Sequence, residues 1–265
     1  MIKLCVSDID GTLLPTGGKI SAANVEAVQK MMRAGVQFSI ATGRMYSAAL
    51  AVAAQLGVAV PIIAYNGALI KSSAGEVLHT HFMDEAIVLK LINFFSERGK
   101  HLQSYSDDIL YVPERNSLVE YYEQVIKVKS VAVGWEGLRE RVKGVTKLLT
   151  ISDKPDEILD DMNTVRKIFG SEVEVTRSNV RFAEFMSKGV TKAGAIKILA
   201  DKFGVDIADV MTIGDSDNDL PMLLAAGCGV AMGNAVPAVK EACPRITDTC
   251  ERDGFAKAVY EYVLS

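Results

Sequence analysis

The sequence predicts an α/β protein built on a doubly wound parallel sheet, with an α+β unit inserted into it. Three observations carry this reading. Short apolar strands alternate with amphipathic helices towards both ends of the chain. Each of these strands breaks into a small polar loop. The rhythm is lost between about residues 83 and 187, where short strands crowd together, and then returns. The expected division is a core of residues 1–82 and 188–265 and an inserted domain of residues 83–187.

Ile2, Leu4, Cys5 and Val6 read as a buried first strand, followed by Asp8, Asp10, Gly11 and Thr12. Alternation along a strand puts both carboxylates on one side. Two like charges that close do not both stay ionised without a cation between them, so either a bound metal or one protonated acid is expected. Pro15 to Lys19 reads as a turn-rich loop. Ser21 fits an N-cap, and Val25, Val28, Met31 and Met32 form a helical stripe that stops at Gly35. Val36 to Ala41 is a second buried strand running into Thr42-Gly43-Arg44, and an alanine-rich helix follows to about Leu56. Pro61 to Tyr65 is a third strand, ending in Asn66-Gly67.

A hairpin is expected around Ser72 to Gly75, then a helix from Asp84 carrying Ile87, Leu91, Phe94 and Phe95. In the insert, strands are expected at Gln103–Tyr105, Ile109–Val112, Lys147–Ile151, Glu172–Thr176 and Arg181–Phe185. Helices are expected near Asn116–Val128 and Pro155–Phe169, with a turn at Thr176 to Asn179. Thr191 to Phe203 is again helical. Val210 to Ile213 is a buried strand that ends in Gly214-Asp215-Ser216-Asp217-Asn218-Asp219, and Pro221 suits the first turn of the next helix. Cys228 to Met232 is a last strand, followed by Gly233-Asn234-Ala235 and a helix from about Pro237.

A formal net charge of -4 over 265 residues gives no electrostatic reason to expect nucleic acid or an anionic membrane. The start of the chain has none of the features of a signal peptide, and no apolar run is long enough to span a bilayer. Cys5, Cys228, Cys243 and Cys250 show no CxxC spacing, which suits a reduced, cytoplasmic protein. His79 and His81 share an expected strand face but lack an evident third metal ligand, so a hairpin surface is the expected role. Tyr105, Tyr111 and Trp135 are expected in the core or surface of the insert rather than on a ligand ring.

Four polar clusters each follow an apolar strand: Asp8/Asp10, Thr42-Gly43-Arg44, Asn66-Gly67 and Asp215 to Asp219. In a parallel sheet all four meet on one edge, where open α/β sheets bind ligands. Carboxylates from separate strands suit Mg²⁺. Thr42, the Gly43 N–H and Lys192 suit phosphate oxygens. An aspartate in such a site can attack phosphorus, and a second acid can protonate the leaving oxygen and then activate water.

At these residues the chain resembles a known family. Asp8-Ile9-Asp10-Gly11-Thr12, Thr42-Gly43-Arg44, Lys192 in Gly189-Val190-Thr191-Lys192, and Gly214-Asp215-Ser216-Asp217-Asn218-Asp219 are similar to the four motifs of the haloacid dehalogenase superfamily. Asn66-Gly67-Ala68 and Ala231-Met232-Gly233-Asn234-Ala235 further resemble its Cof-type branch of sugar-phosphate and related phosphatases, whose α/β cap falls where the insert lies. The resemblance implies a Mg²⁺-dependent hydrolase of small phosphate monoesters that works through an aspartyl phosphate. It implies Asp8 as nucleophile and metal ligand, and Asp10 as general acid/base with its backbone carbonyl on the metal. It further implies Thr42, Gly43 and Asn218 on the phosphoryl group, Lys192 neutralising that group and the nucleophile, and Asp215 completing the metal site. Asp219 is implied to orient Lys192 or a metal-bound water, and Arg44 and Asn66 to contact substrate. The implied partner is a small phosphate ester, with no nucleic acid or membrane, in a monomer or weak homodimer whose cap closes to exclude water and read the leaving group.

Simpler roles compete. Asp217 and Asp219 can cap the helix after Pro221, Thr42 can be an ordinary N-cap, Asn66-Gly67 can be only a turn, and Lys188 stands close to Lys192. A phosphomutase or phosphotransferase using the same nucleophile, or a non-catalytic phosphometabolite sensor, are the alternative functions.

Overall fold

The computed structural model describes residues 1–15 and 18–265. Part of the loop expected over Pro15 to Lys19, namely Thr16 and Gly17, lies outside the described residues. The chain divides into two compact units, Met1–His79 with Thr191–Ser265, and Thr80–Val190.

The chain begins with β1 (Leu4–Ser7), α1 (Ala22–Arg33), β2 (Gln37–Ala41), α2 (Tyr46–Ala53), β3 (Pro61–Ala64), β4 (Leu69–Ser72) and β5 (Val77–Thr80). The insert holds α3 (Glu85–Ser96), β6 (Gln103–Ser106), β7 (Ile109–Val112), α4 (Ser117–Ile126), β8 (Ser130–Ala132), α5 (Gly134–Arg139), β9 (Val145–Ile151), α6 (Pro155–Phe169), β10 (Val173–Asn179) and β11 (Phe182–Ser187). The first unit resumes with α7 (Lys192–Phe203), β12 (Val210–Gly214), α8 (Leu220–Ala225), β13 (Cys228–Ala231), α9 (Pro237–Ala242) and α10 (Gly254–Tyr262).

The first unit's sheet has the order β13-β12-β1-β2-β3-β4-β5. Its pairs from β13 through β3 are parallel, and β4 returns antiparallel to β3. The chain leaves β1 for β2 on one side and comes back as β12 on the other. The carboxyl ends of β12, β1, β2 and β3 therefore lie side by side, which is the topological switch point where such sheets bind ligands. All four residues of β1 are buried, as a central strand covered on both faces requires.

The helices start as their sequences direct. Ser21 Oγ accepts a hydrogen bond from Asn24 N at 3.1 Å, and α1 buries Ala27, Val28 and Met31. In the insert, Asp84 caps α3. Helix α6 has Pro155 in its first turn, acids at Asp156 and Glu157, and bases at Arg166 and Lys167 in its last, matching the helix dipole.

The second unit's sheet has the order β10-β11-β9-β6-β7-β8 and is antiparallel except where β8 pairs with β7. Leu91 and Phe95 of α3, Leu138 of α5 and Met162 and Val165 of α6 share one core with Leu148, Ala183 and Phe185 of the sheet. Tyr105 is buried, with its hydroxyl 2.6 Å from that of Tyr122. Tyr111 and Trp135 pack half-buried against the core.

Several expectations are corrected. The turn expected at Thr176 to Asn179 is strand, because β10 carries on through a register irregularity between Thr176 and Asn179. Ser178 Oγ bonds across to Glu184, and the reversal comes only at Val180 and Arg181. The third strand stops at Ala64 rather than Tyr65, since Tyr65, Asn66 and Gly67 all take positive φ (51°, 55° and 111°). β5 stops at Thr80, so His81 is not on its face; its Nε2 lies 3.0 Å from Ser187 Oγ. Strand β8 and helices α5 and α10 are additional elements. β8 has three residues and α5 six, too few to show a period. Among the described residues, no helix is long and apolar enough to cross a membrane.

Close packing around the last parallel strand is testable. A Cβ added at Gly229 in β13 would stand 1.9 Å from the Leu223 carbonyl oxygen of α8, so helix and strand approach only because that side chain is absent. Gly229→Ala is expected to destabilise the protein by about 3 kcal/mol in urea unfolding; an unchanged midpoint would contradict this packing.

Candidate active site

The candidate site is built on the strand ends of the first unit. Strand β1 ends at Ser7, although Asp8 N still donates to Ile213 O of β12 at 2.9 Å. Beyond it the chain turns tightly. Gly11 has φ +78°, Gly11 N donates to Leu14 O, and Leu14 N donates to Ile9 O. This turn ends the strand alternation on which a shared side for Asp8 and Asp10 depends. The Asp8 side chain is 8% exposed, whereas that of Asp10 is 57% exposed and is gripped by Arg44. Arg44 Nε donates to Asp10 Oδ2 at 2.8 Å, and a terminal guanidinium nitrogen donates to Oδ1 at 2.5 Å. Asp10 still adds its negative charge to that around Asp8 and Asp215, but the tightest carboxylate cluster is a different one. Carboxylate oxygens of Asp8, Asp215 and Asp219 lie within 4.8 Å of one another.

Lys192 is the cation of that cluster. Thr191 caps α7 by accepting from Gly194 N at 3.1 Å, and Lys192 begins the helix. Its Nζ donates to Asp8 Oδ1 and to Asp219 Oδ1, each at 2.6 Å, while the side chain is 1% exposed. Asp219 uses its other oxygen to accept from the backbone N–H groups of Asp215 and Ser216, both at 2.9 Å. It makes no side-chain cap to α8, so the simpler reading of Asp219 fails. Gly214 is needed beside it, because a Cβ there would meet Asp219 Cγ at 2.6 Å. Lys188, the competing lysine, pairs instead with Glu174 in the other unit.

The electrostatics follow from burial. Desolvation raises the Asp8 carboxyl well above the ordinary range, and Asp219 adds to the effect while Lys192 opposes it. Desolvation likewise pushes Asp215 up to about 7, reinforced by Asp219 and opposed by a 3.2 Å hydrogen bond from Thr12 Oγ1. Burial works to lower the Lys192 ammonium, but Asp219 and Asp8 outweigh it and hold its pKa above the usual value. Three carboxylates thus face one ammonium. The donor set is all oxygen and lacks two positive charges, which fits a hard divalent cation.

The remaining predicted residues stand on the neighbouring strand ends. Thr42 is buried after β2, with Thr42 N donating to Ile63 O and Thr42 Oγ1 accepting from Arg44 N at 3.1 Å. Gly43 lies between them in the same loop. Asn66 sits in the left-handed turn after β3, a conformation asparagine tolerates. Asn66 N donates to Thr42 O, and its Oδ1 accepts from Asn218 Nδ2 at 3.0 Å. The structure therefore joins Thr42, Arg44, Asn66 and Asn218 in one hydrogen-bonded group, and Asp8, Lys192, Asp215 and Asp219 in another. Arg44 faces Asp10. Thr12 and Asn234 are additional: both lie within stretches singled out in the sequence, but only the fold shows that Thr12 bonds Asp215 and that Asn234 bonds Gly11.

A sequence model of the haloacid dehalogenase-like hydrolases matches residues 5–259. The chain belongs to this family, in its Cof-type branch, and as an enzyme it is of the phosphatase class. The 5-amino-6-(5-phospho-D-ribitylamino)uracil phosphatase YitU of Bacillus subtilis is 30% identical over 267 residues, covering 98% of this chain and 97% of that protein. Among solved structures, the superfamily member BT1666 from Bacteroides thetaiotaomicron is 29% identical with a TM-score of 0.85, covering 98% of this chain and 95% of its own. The sugar phosphatase BT4131, of superfamily subclass IIB, is 26% identical with a TM-score of 0.85 and 98% coverage of both chains.

The raised Asp215 carboxyl has a consequence for stability. An unfolded aspartate titrates near 4, so between about pH 4 and about 7 the unfolded chain has released a proton that the metal-free native protein keeps. The native state binds more protons there, and stability falls as pH rises through that window. Asp215→Asn removes this contribution. In EDTA, thermal melts should show the variant gaining on the parent at about pH 8 relative to about pH 5. A difference between the two proteins that is the same at both pH values would contradict the assignment.

Proposed function

We propose that this protein is a Mg²⁺-dependent phosphatase of small phosphate monoesters, sugar phosphates or related phosphometabolites, working through an aspartyl phosphate on Asp8. One observation carries the reading: the buried Lys192 ammonium is shared by Asp8 and Asp219, with Asp215 in the same carboxylate group. The relatives named as phosphatases support the reaction class, and the sugar phosphatase with the same fold supports the substrate class.

In the proposed reaction Asp8 attacks phosphorus through one carboxylate oxygen, and the ester oxygen leaves with a proton from Asp10, whose carboxyl carries that proton once it parts from the Arg44 guanidinium that grips both its oxygens. The deprotonated Asp10 then takes a proton from water, whose oxygen attacks the aspartyl phosphate, freeing Asp8 and inorganic phosphate. Lys192 favours the ionised form of Asp8, holds it in place and balances charge on the phosphoryl oxygens, because the transition state spreads that charge over three equatorial atoms. Thr42, the Gly43 N–H and Asn218 orient the phosphoryl group from the adjoining strand ends. Arg44 orients the Asp10 carboxylate, and Asn66 fixes Asn218. Mg²⁺ held by Asp8, Asp215 and the Asp10 carbonyl, with Asp219 acting through Lys192 or a water, would neutralise the excess carboxylate charge and draw electron density from the phosphoryl group. The inserted unit, residues 80–190, serves as the cap that sets which leaving groups are accepted. Four buried free cysteines are in keeping with a reducing cytoplasm.

The test is a phosphatase screen over sugar phosphates, nucleotides and cofactor phosphates. Phosphate release should stop in EDTA, return with Mg²⁺, and fall by at least about a thousandfold in Asp8→Asn. An Asp8→Asn protein that kept its turnover would overturn the nucleophile. Accumulation of a new phosphoester in place of inorganic phosphate would show a transferase.

A further inference from the structure

The stretch Ala231 to Ala235 has no part in the proposed chemistry, yet the structure ties it to both loops that carry the acidic residues. Met232 N donates to Gly214 O at 3.0 Å, and Val236 N donates to Asp215 O at 2.9 Å. Between these two anchors, Asn234 Nδ2 donates to Gly11 O at 2.8 Å, and its Oδ1 accepts from Cys250 N at 2.9 Å. Thr12 Oγ1 then donates to Asp215 Oδ1, which completes a ring. The ring runs from the Asp215 carbonyl to Val236, back two residues to Asn234, across its side chain to Gly11, and through Thr12 to the Asp215 carboxylate.

We infer that Asn234 is a positioning residue for the divalent-cation site, fixing the Gly11 turn against the Asp215 loop. The inference rests on the metal-dependent reading above. Two observations make the site sensitive to this one amide. Gly11 is packed against the Asp215 carboxylate so closely that an added Cβ would lie 2.5 Å from Oδ2, so any shift of the turn is passed directly to a metal-ligating group. Asn234 is itself exposed, in a loop that follows β13. The bond to Gly11 is made in contact with water and adds little net stability, and the part-buried bond from Cys250 N adds a modest amount, so removal of this amide is felt in the spacing of the two loops more than in global stability. Mg²⁺ demands near-ideal octahedral spacing of its oxygens, and losing a group that orients a ligand costs roughly 10–100-fold in metal affinity. Asn234 acts through Gly11 rather than on a ligand directly, which places its effect at the lower end, about tenfold.

The experiment compares Asn234→Ala with the parent protein. Mn²⁺ is the probe, and free Mn²⁺ is read by electron paramagnetic resonance without any substrate. The expected result is a Kd for Mn²⁺ raised about tenfold, with a metal-free Tm changed by less than about 3 °C. Unchanged affinity would overturn the inference, and so would a larger fall in metal-free Tm, because the loosening would then belong to the whole fold. Parent protein that takes up no Mn²⁺ would instead remove the metal-dependent reading itself.

Discussion

Lys192 Nζ, buried and held 2.6 Å from both Asp8 and Asp219, is the interaction on which the site depends. Burying an ammonium is costly unless its hydrogen bonds are met by opposite charge, and burying a carboxylate is costly in the same way. Each partner here is tolerable only because of the other. Asp219 extends the arrangement: one oxygen takes Lys192 and the other takes the amides of Asp215 and Ser216, so the ammonium is registered against the Asp215 loop. One lysine does not balance three neighbouring carboxylates. Burial, reinforced by Asp219, raises Asp8 and Asp215 out of their ordinary range, and the unbalanced carboxylate charge is what a divalent cation would relieve.

The sheet makes this concentration of charge possible. Adjacent parallel strands deliver Asp8, Thr42, Asn66 and Asp215 to one rim from widely separated positions in the chain. Glycine is required at two contacts. Gly11 reverses the chain at positive φ and lets the turn close on Asp215, and Gly214 leaves room for the Asp219 carboxylate at the end of β12. The hydrogen bonds from Thr12 and Asn234 then join turns that the sheet alone would leave independent.

Much of this was legible in the sequence, for stated reasons. Apolar strand runs ending in polar loops gave the parallel sheet, because a strand buried on both faces must be apolar throughout and its ligands must come from its ends. Asp8, Asp215, Asp219 and Lys192 could be singled out by motif, and the structure brings all four together. The partner of Asp10 could not be read, because alternation holds only while the chain stays extended and β1 stops at Ser7. The left-handed turn at Tyr65 was hidden for a similar reason: a β-favouring residue at a strand end reads as strand until its backbone angles are known. In the insert, β8 and α5 are too short to show a period, and the end of β10 is set by its pairing with β11, a contact across the chain that local turn residues do not encode.

The central claim is that a single divalent ion completes the charge balance that Lys192 begins. It is tested most directly by crystals grown in Mn²⁺, with anomalous difference density collected near the manganese edge. The account predicts one peak in contact with the carboxylates of both Asp8 and Asp215. Density that shows no ion there, or an ion bound only at a site remote from both, would contradict it.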